Sequence, residues 1–459
     1  MGSIHDDRRM HCAKTILAIL LCLFVAQTTS AAPRKPNVIL IYTDDQGSID
    51  LNCYGATDLQ TPHLDGLAER GVRFTQFYAA APVCSPSRAA VLTGRYPQRA
   101  GVPGNVGSQE GRPGMPSSQL TLAEMMKAGG YKTGHIGKWH LGYTPDTMPN
   151  GQGFDHSFGH MGGCIDNWSH FFYWEGPNRH DLWRNGQEIW EDGRFFPELM
   201  IEESEAFIHH NQEDPFFIYW AINVPHYPLQ GTDKWRKVYE DLPEPRKMYA
   251  AFISTMDEMI GQLFGILDKA GLTEDTIVIF QSDHGHSTEV RTFGGGGNAG
   301  PYRGAKFSLF EGGIRVPAII SWPGHLPEGH VRGQFATAVD WLPTIAELCD
   351  IDLPNRRLDG DSLVPIIQSA TAPDRHKTFF WETGNQRKPQ WAVRSGAWKL
   401  IGNPRDTSNQ GKLTDKDQLF LANLAFDHRE RQNLAETYPD KVEELHRLYE
   451  TWKASASDQ

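Results

Sequence analysis

Short runs of continuous apolar residues alternate with longer stretches of helical periodicity through most of the chain. Asn37-Val38-Ile39-Leu40-Ile41-Tyr42 is rich in branched residues and suits a strand buried on both faces; it ends abruptly in Asp44-Asp45. A helix is predicted over 62–70, a strand over 72–78 and a helix from Cys84. The series continues with helix 120–128, strand 132–136, helix 198–210 and strand 216–222. A long amphipathic helix over about 248–270 leads into strand 276–280, the apolar run 316–321 and a helix over 341–348. Strands alternating with helices predict an α/β domain with a mostly parallel central sheet. From about residue 376 the texture changes. Short strands over 378–381, 391–394 and 398–401 and a closing helix over 441–453 predict a small α+β domain with an antiparallel sheet.

The first 32 residues stand apart. Arg8, Arg9 and Lys14 precede an apolar run over 16–26, and Thr29-Ser30-Ala31-Ala32 offers small residues for cleavage, the pattern of a secretory signal peptide. The run is too short to cross a bilayer comfortably, and no later segment is apolar enough, so the mature chain is expected to be exported without a membrane span. The organisation read from this is a signal over 1–32, a catalytic domain over 33–375 and a small domain over 376–459. The net charge of −12 becomes one unit more negative when the signal, with three basic and two acidic groups, is removed. That balance argues against nucleic acid as a partner. Cys53, Cys84, Cys164 and Cys349 remain after the signal, too few for a disulfide scaffold.

Chemistry-bearing residues gather at predicted strand ends. Asp44 and Asp45 follow the first strand, and Asp283-His284-Gly285 follows a strand far along the chain. In open α/β sheets ligands collect at the carboxyl ends of strands, so the two groups are expected to meet. Three carboxylates and an imidazole suit one divalent ion with mostly oxygen ligands, calcium or magnesium rather than zinc. Ser85 is placed to cap the Cys84 helix, with Pro86 in its first turn, and unpaired N–H groups there favour an oxyanion.

Cys84-Ser85-Pro86-Ser87-Arg88, continued by Ala89-Ala90-Val91-Leu92-Thr93-Gly94-Arg95, resembles the signature of the formylglycine-dependent (type I) sulfatases, within the alkaline phosphatase superfamily. The resemblance extends in order over about residues 37–323, and 162–186 looks similar to the arylsulfatase A and N-acetylgalactosamine-6-sulfatase relatives. It implies an alkaline-phosphatase-like large domain with a mixed sheet and a small antiparallel C-terminal domain. It also implies that a maturation enzyme oxidises Cys84 to formylglycine (3-oxoalanine), whose hydrated form is the nucleophile. Asp44, Asp45, Asp283 and His284 would hold calcium, or magnesium, with the modified Cys84 oxygen completing the sphere; many family members carry asparagine where His284 stands.

Further segments match in context. Gly137-Lys138-Trp139-His140, Pro225-His226-Tyr227-Pro228 and Arg303-Gly304-Ala305-Lys306 resemble family segments that bind sulfate and move protons. By this resemblance Arg88 holds the diol and Lys138, His226 and Lys306 contact sulfate. His226 protonates the departing alcohol, and His140 deprotonates the second diol hydroxyl so that sulfate leaves the sulfated enzyme. The expected activity is hydrolysis of sulfate from a sulfated carbohydrate, with small aryl sulfates as surrogates, in the periplasm, outside the cell or, in a eukaryote, in the lysosome. The alternatives are a phosphate mono- or diester hydrolase of the same superfamily and a secreted glycan-binding protein without catalysis. Trp168, Phe171, Phe172, Tyr173, Trp174 and Trp183 could form a platform for sugar rings, Gly294–Gly297 marks a loop near the site, and Asn167-Trp168-Ser169 is a glycosylation sequon.

Overall fold

The structure is a computed structural model that describes Met1 and residues 34–457 except Glu175, Asn385, Gln386 and Asn409. The signal-like segment over 1–32 therefore lies, but for Met1, outside the described residues. Ten strands form the main sheet: β1 Asn37–Thr43, β2 Val72–Phe74, β3 Lys132–Lys138, β4 His156–His160, β5 Trp183–Arg184, β6 Gln187–Glu188, β7 Phe216–Ala221, β8 Thr276–Ser282, β9 Ala318–Ser321 and β10 His330–Arg332. Their order is β10-β2-β9-β8-β1-β7-β3-β4-β5-β6. The centre, from β8 through β1, β7 and β3 to β4, is parallel; β9 turns antiparallel on one side, and β5 and β6 do so on the other. The α/β arrangement predicted by alternation is the one formed, with the expected mixed, mostly parallel sheet.

Burial on both faces explains the continuous apolar strands. Val38, Leu40 and Tyr42 of β1 join one hydrophobic cluster with the Cys84–Thr93 and Trp341–Leu348 helices. Ile39 and Ile41 join another with the Phe196–His210 and Arg246–Lys269 helices. Four antiparallel strands near the C-terminus, β11 Thr378–Thr383, β12 Gln390–Ser395, β13 Trp398–Gly402 and β14 Leu419–Asn423, form a second sheet. Its Phe379, Trp381, Val393 and Leu400 belong to the same cluster as Val38 and Leu40, so the two sheets share one core.

Two local expectations change. The predicted strand over 72–78 is two strands, because Phe77–Tyr78 leaves the main sheet after Phe74 and pairs with Ala336–Thr337. The sequon residue Asn167 is buried and bonded to Gln230 and Asn223, so its side chain serves the fold's interior. Among the described residues no helix is long and apolar enough to cross a membrane, and Cys53, Cys84, Cys164 and Cys349 form no disulfide with one another.

Candidate active site

The parallel strands deliver the site. Thr43 pairs with Ser282 in the β1/β8 register, so Asp44-Asp45 and Asp283-His284 leave the sheet side by side. Lys138 ends β3, and His226 follows β7 across the same edge. The buried Cys84 begins its helix directly beneath. Ser85 does not cap that helix: Val83 holds the N-cap position. The Ser85 hydroxyl accepts from the Val106 N–H at 3.0 Å, and its own N–H donates to Asn105 at 3.1 Å, so it fastens a neighbouring loop instead.

Ten residues converge, all buried: Asp44, Asp45, Cys84, Arg88, Lys138, His140, His226, Asp283, His284 and Lys306. Cys84 Sγ lies 3.3 Å from His284 Nε2 and 3.7 Å from Asp44 Oδ1. Lys138 Nζ donates to Asp44 Oδ2 at 2.6 Å, and Lys306 Nζ donates to Asp45 Oδ2 at 2.9 Å. Arg88 donates to Asp283 Oδ2 at 3.1 Å and to the Lys138 carbonyl at 3.2 Å, with Asp44 at 3.6 Å. Its hydrogen bonds brace Asp283 and the end of β3, and toward Cys84 it contributes charge.

The three histidines are oriented by carbonyl acceptors. His284 Nδ1 donates to the Gly285 carbonyl at 3.0 Å, which turns Nε2 toward Cys84, Asp45 and Asp283. His226 Nδ1 donates to the Tyr227 carbonyl at 2.8 Å and leaves Nε2 3.7 Å from Asp45 Oδ2. His140 Nε2 donates to the Val106 carbonyl at 3.1 Å, so Nδ1 keeps its lone pair. Gly163 makes room for that ring, since a Cβ there would lie 2.9 Å from His140 Cε1. His286, the other histidine beside Asp283, is buried apart from this cluster, with its backbone carbonyl accepting from the Lys306 N–H.

Burial and mutual charge set the titration. Burial would raise Cys84, yet Lys138 and Lys306 outweigh it and hold the thiol well below its usual value. Cys164, buried nearby but farther from those cations, is pushed by burial up to about 12. Burial raises Asp45 to about 6 and Asp283 to about 8, whereas Asp44, also buried, is held well below the carboxylate range by Lys138, His226 and Arg88. Burial would lower His284, but Asp283 and Cys84 raise it to about 9. Burial lowers both His226 and His140.

Asp44, Cys84, Asp283 and His284 have ligand atoms within 4.8 Å of one another, as do Asp44, Asp45, Cys84 and His226. Crowded buried carboxylates of this kind suit a divalent cation, and the ring of lysines and arginine suits an oxyanion.

The rim holds residues that the sequence patterns did not single out as site residues. Arg291 lies over the Trp174 ring at 3.3 Å and the Tyr227 ring at 4.7 Å, and it pairs with Glu289, whose carboxylate is 3.9 Å from Lys306. Of the aromatic group, Phe172 and Tyr173 pack with Tyr227, while Trp168 packs on Phe195. The Gly294–Gly297 stretch is tied down by Arg246, which donates to the Gly296 carbonyl at 2.8 Å; the residues just before it form the rim. Only the position of Arg291 beside the glycines hinted at this in the sequence.

Comparison with known proteins agrees with the geometry. Residues 36–351 match the sulfatase family model, and residues 304–448 match the model of the N-sulphoglucosamine sulphohydrolase C-terminal region. Arylsulfatase A of Homo sapiens is 35% identical over 394 residues, 80% of this chain and 75% of the relative. N-acetylgalactosamine-6-sulfatase of Sus scrofa is 34% identical over 400 residues, 81% of this chain and 73% of the relative. The crystal structure of Ps i-CgsB in complex with k-i-k-neocarrahexaose aligns with a TM-score of 0.81 at 29% identity, covering 91% of this chain and 93% of that one. With the family model spanning most of its length and relatives of this identity, the chain belongs to the sulfatase family.

Proposed function

We propose that the protein is an exported sulfuric ester hydrolase acting on a sulfated carbohydrate, with Cys84 oxidised to formylglycine and a divalent cation, calcium or magnesium, held by Asp44, Asp45, Asp283 and His284. The observation that supports it most is the convergence on Cys84 Sγ, with His284 Nε2 at 3.3 Å and Asp44 Oδ1 at 3.7 Å, in a chain of this family. The donor set fits the cation: burial drives Asp45 and Asp283 toward protonation, and a divalent charge among them relieves that cost. Oxygen donors dominate, and His284 has its second nitrogen fixed by a carbonyl, as metal-bound histidines do. When bound, the cation supplies Lewis-acid charge to a sulfate oxygen. The hydrated aldehyde supplies an oxygen nucleophile whose second hydroxyl provides the route for sulfate to leave.

The chain's own residues do the rest. Lys138, Lys306 and Arg88 concentrate positive charge in a protein whose net charge of −12 would otherwise repel the substrate. Burial lowers His226, but an arriving sulfate raises its basicity, so Nε2 takes up a proton from solvent as the substrate binds and hands that proton to the departing alcohol. His140 keeps Nδ1 as the base that takes the second hydroxyl's proton, because its other nitrogen is committed to Val106. Trp174, Tyr227 and Arg291 at the rim offer a flat face and a cation, which suits a sugar ring bearing a further anionic group. The carbohydrate reading is supported by the printed names of the relatives, N-acetylgalactosamine-6-sulfatase and a structure holding k-i-k-neocarrahexaose. Turnover of an aryl sulfate against the matching aryl phosphate tests the bond broken. Sulfate is expected to be preferred, and a preference for phosphate would overturn the reading in favour of the phosphoesterase alternative.

A further inference from the structure

A second group of metal-ligating side chains lies outside the Cys84 pocket. His170, His180 and Asp192 each offer one ligand atom, and the three atoms lie within 4.8 Å of one another. His170 precedes the short strand Phe171–Phe172, and His180 ends its antiparallel partner Arg179–His180. His170 is 0% exposed and His180 8%, while Asp192 is on the surface.

The ring protons are what distinguish these imidazoles from packed ones. His170 Nε2 lies 3.0 Å from the Arg194 carbonyl, which only accepts, so Nε2 carries the hydrogen and Nδ1 a lone pair. His180 Nδ1 lies 3.0 Å from Glu188 Oε1, so its hydrogen sits there and Nε2 carries the lone pair. Both remaining nitrogens, His170 Nδ1 and His180 Nε2, are buried without a hydrogen-bond partner. His180 Nε2 is 3.9 Å from Asp192 Oδ1, and the His180 ring is fixed under Trp190 by stacking at 3.8 Å. Metal-bound histidines characteristically donate their other N–H to a carboxylate or a backbone carbonyl, and here one does each.

We propose that His170 Nδ1, His180 Nε2 and the Asp192 carboxylate form a second cation site, for a divalent transition ion with zinc the best match. Two imidazoles and one carboxylate suit zinc, unlike the oxygen-rich Cys84 pocket. Tetrahedral zinc sets its ligand atoms about 3.3 Å apart, a contraction that the exposed Asp192 side chain can make by rotating. The site ties the hairpin over 171–180 to the segment over 188–192. That hairpin carries Trp174, whose ring centroid is 6.0 Å from that of Tyr227, next to His226. The ion therefore braces one wall of the substrate mouth and takes no part in the chemistry.

The test titrates the full chain, saturated with calcium, with zinc alone and then with cobalt as a visible-absorption probe. One retained equivalent of zinc per chain is expected beyond the calcium, with four-coordinate cobalt bands. Asp192→Asn, a surface change with no bearing on folding, and His180→Gln are each expected to weaken zinc binding on the order of 10-fold to 100-fold or more, with calcium content unchanged. Failure of the wild-type chain to retain zinc, or equal retention by both variants, overturns the proposal. Because the readout is zinc content, a failure to release sulfate would count against the reading of the Cys84 pocket and leave this one standing.

Discussion

Two clusters of buried charge hang from one stretch of chain, Lys306 entering the first and Glu311, five residues on, the second. Around Glu311 each carboxylate oxygen has its own donors: Lys399 at 2.9 Å on Oε1, and Tyr78 at 2.6 Å and Arg315 at 3.3 Å on Oε2. Glu430 closes the network through Lys399 at 3.0 Å and the Glu311 N–H at 2.6 Å. Burial would raise Glu311, but Lys399, Arg315 and Arg394 hold it at about 2, and burial leaves only its neighbour Glu430 raised, at about 7. Around Cys84 the groups point at a common centre instead, and Asp45 and Asp283 are left at about 6 and about 8. Pairwise closure makes an internal weld that joins the Glu311–Ile314 helix and Tyr78 to the C-terminal strand β13. Convergence with charge left over makes a pocket that calls for a cation and an anion.

The two clusters are expected to respond oppositely to mutation. Cys84→Ala is expected to lower sulfate release by a factor on the order of 10⁴ or more while thermal unfolding barely moves; a comparable loss of stability would mean that Cys84 is a packing residue. Lys399→Met leaves Glu430 buried without its cation and Glu311 with Arg315 alone, at a cost of about 3–5 kcal/mol in stability, read by denaturant unfolding. Sulfate release per folded chain should persist. His140→Gln keeps a donor for the Val106 carbonyl but removes the ring base, and kcat is expected to fall about 100-fold with KM little changed.

The smallest effect lies at a third buried pair, His376 with Asp340 at 2.6 Å. Burial would lower His376, but Asp340 raises it above its ordinary value. A raised histidine pKa contributes stability that is fully present below the unfolded value and is lost as pH rises through the folded one. The stability gap between wild type and His376→Gln, roughly 1 kcal/mol, should therefore shrink between slightly acidic and alkaline pH. A gap that grows with pH would reverse the assignment of charge to this pair.

Much of the Cys84 cluster could be read from the chain, because its residues sit in short contiguous motifs at strand ends: Asp44-Asp45, Cys84 to Arg88, Lys138 to His140, and Asp283-His284. The parallel strands that carry them are continuous apolar runs, and the long helix expected over 248–270 is Arg246–Lys269 in the fold. The Glu311 weld was not legible. Its partners are scattered, Glu311 and Glu430 being 119 residues apart, and a lone buried Glu or Lys leaves no periodic trace. The strands β5 and β6 are two residues each, too short for alternation to register, and β14 runs on into the apolar Leu424-Ala425-Phe426, so no polar boundary marks its end. Ser85 misled because its type favours a cap, whereas the cap lies two residues earlier at Val83 and the Ser85 hydroxyl is spent on Val106. His170 and His180 escaped notice because a hairpin, not a motif, brings them together.

The central claim, that charge converges on Cys84 to serve a modified nucleophile, is tested most directly by mass spectrometry of the Cys84 peptide paired with sulfate release from the same preparations. Activity is expected to scale with the fraction of chains carrying the aldehyde and to disappear on thorough removal of divalent metal. Full activity in chains that retain the Cys84 thiol, or indifference to metal removal, would contradict it.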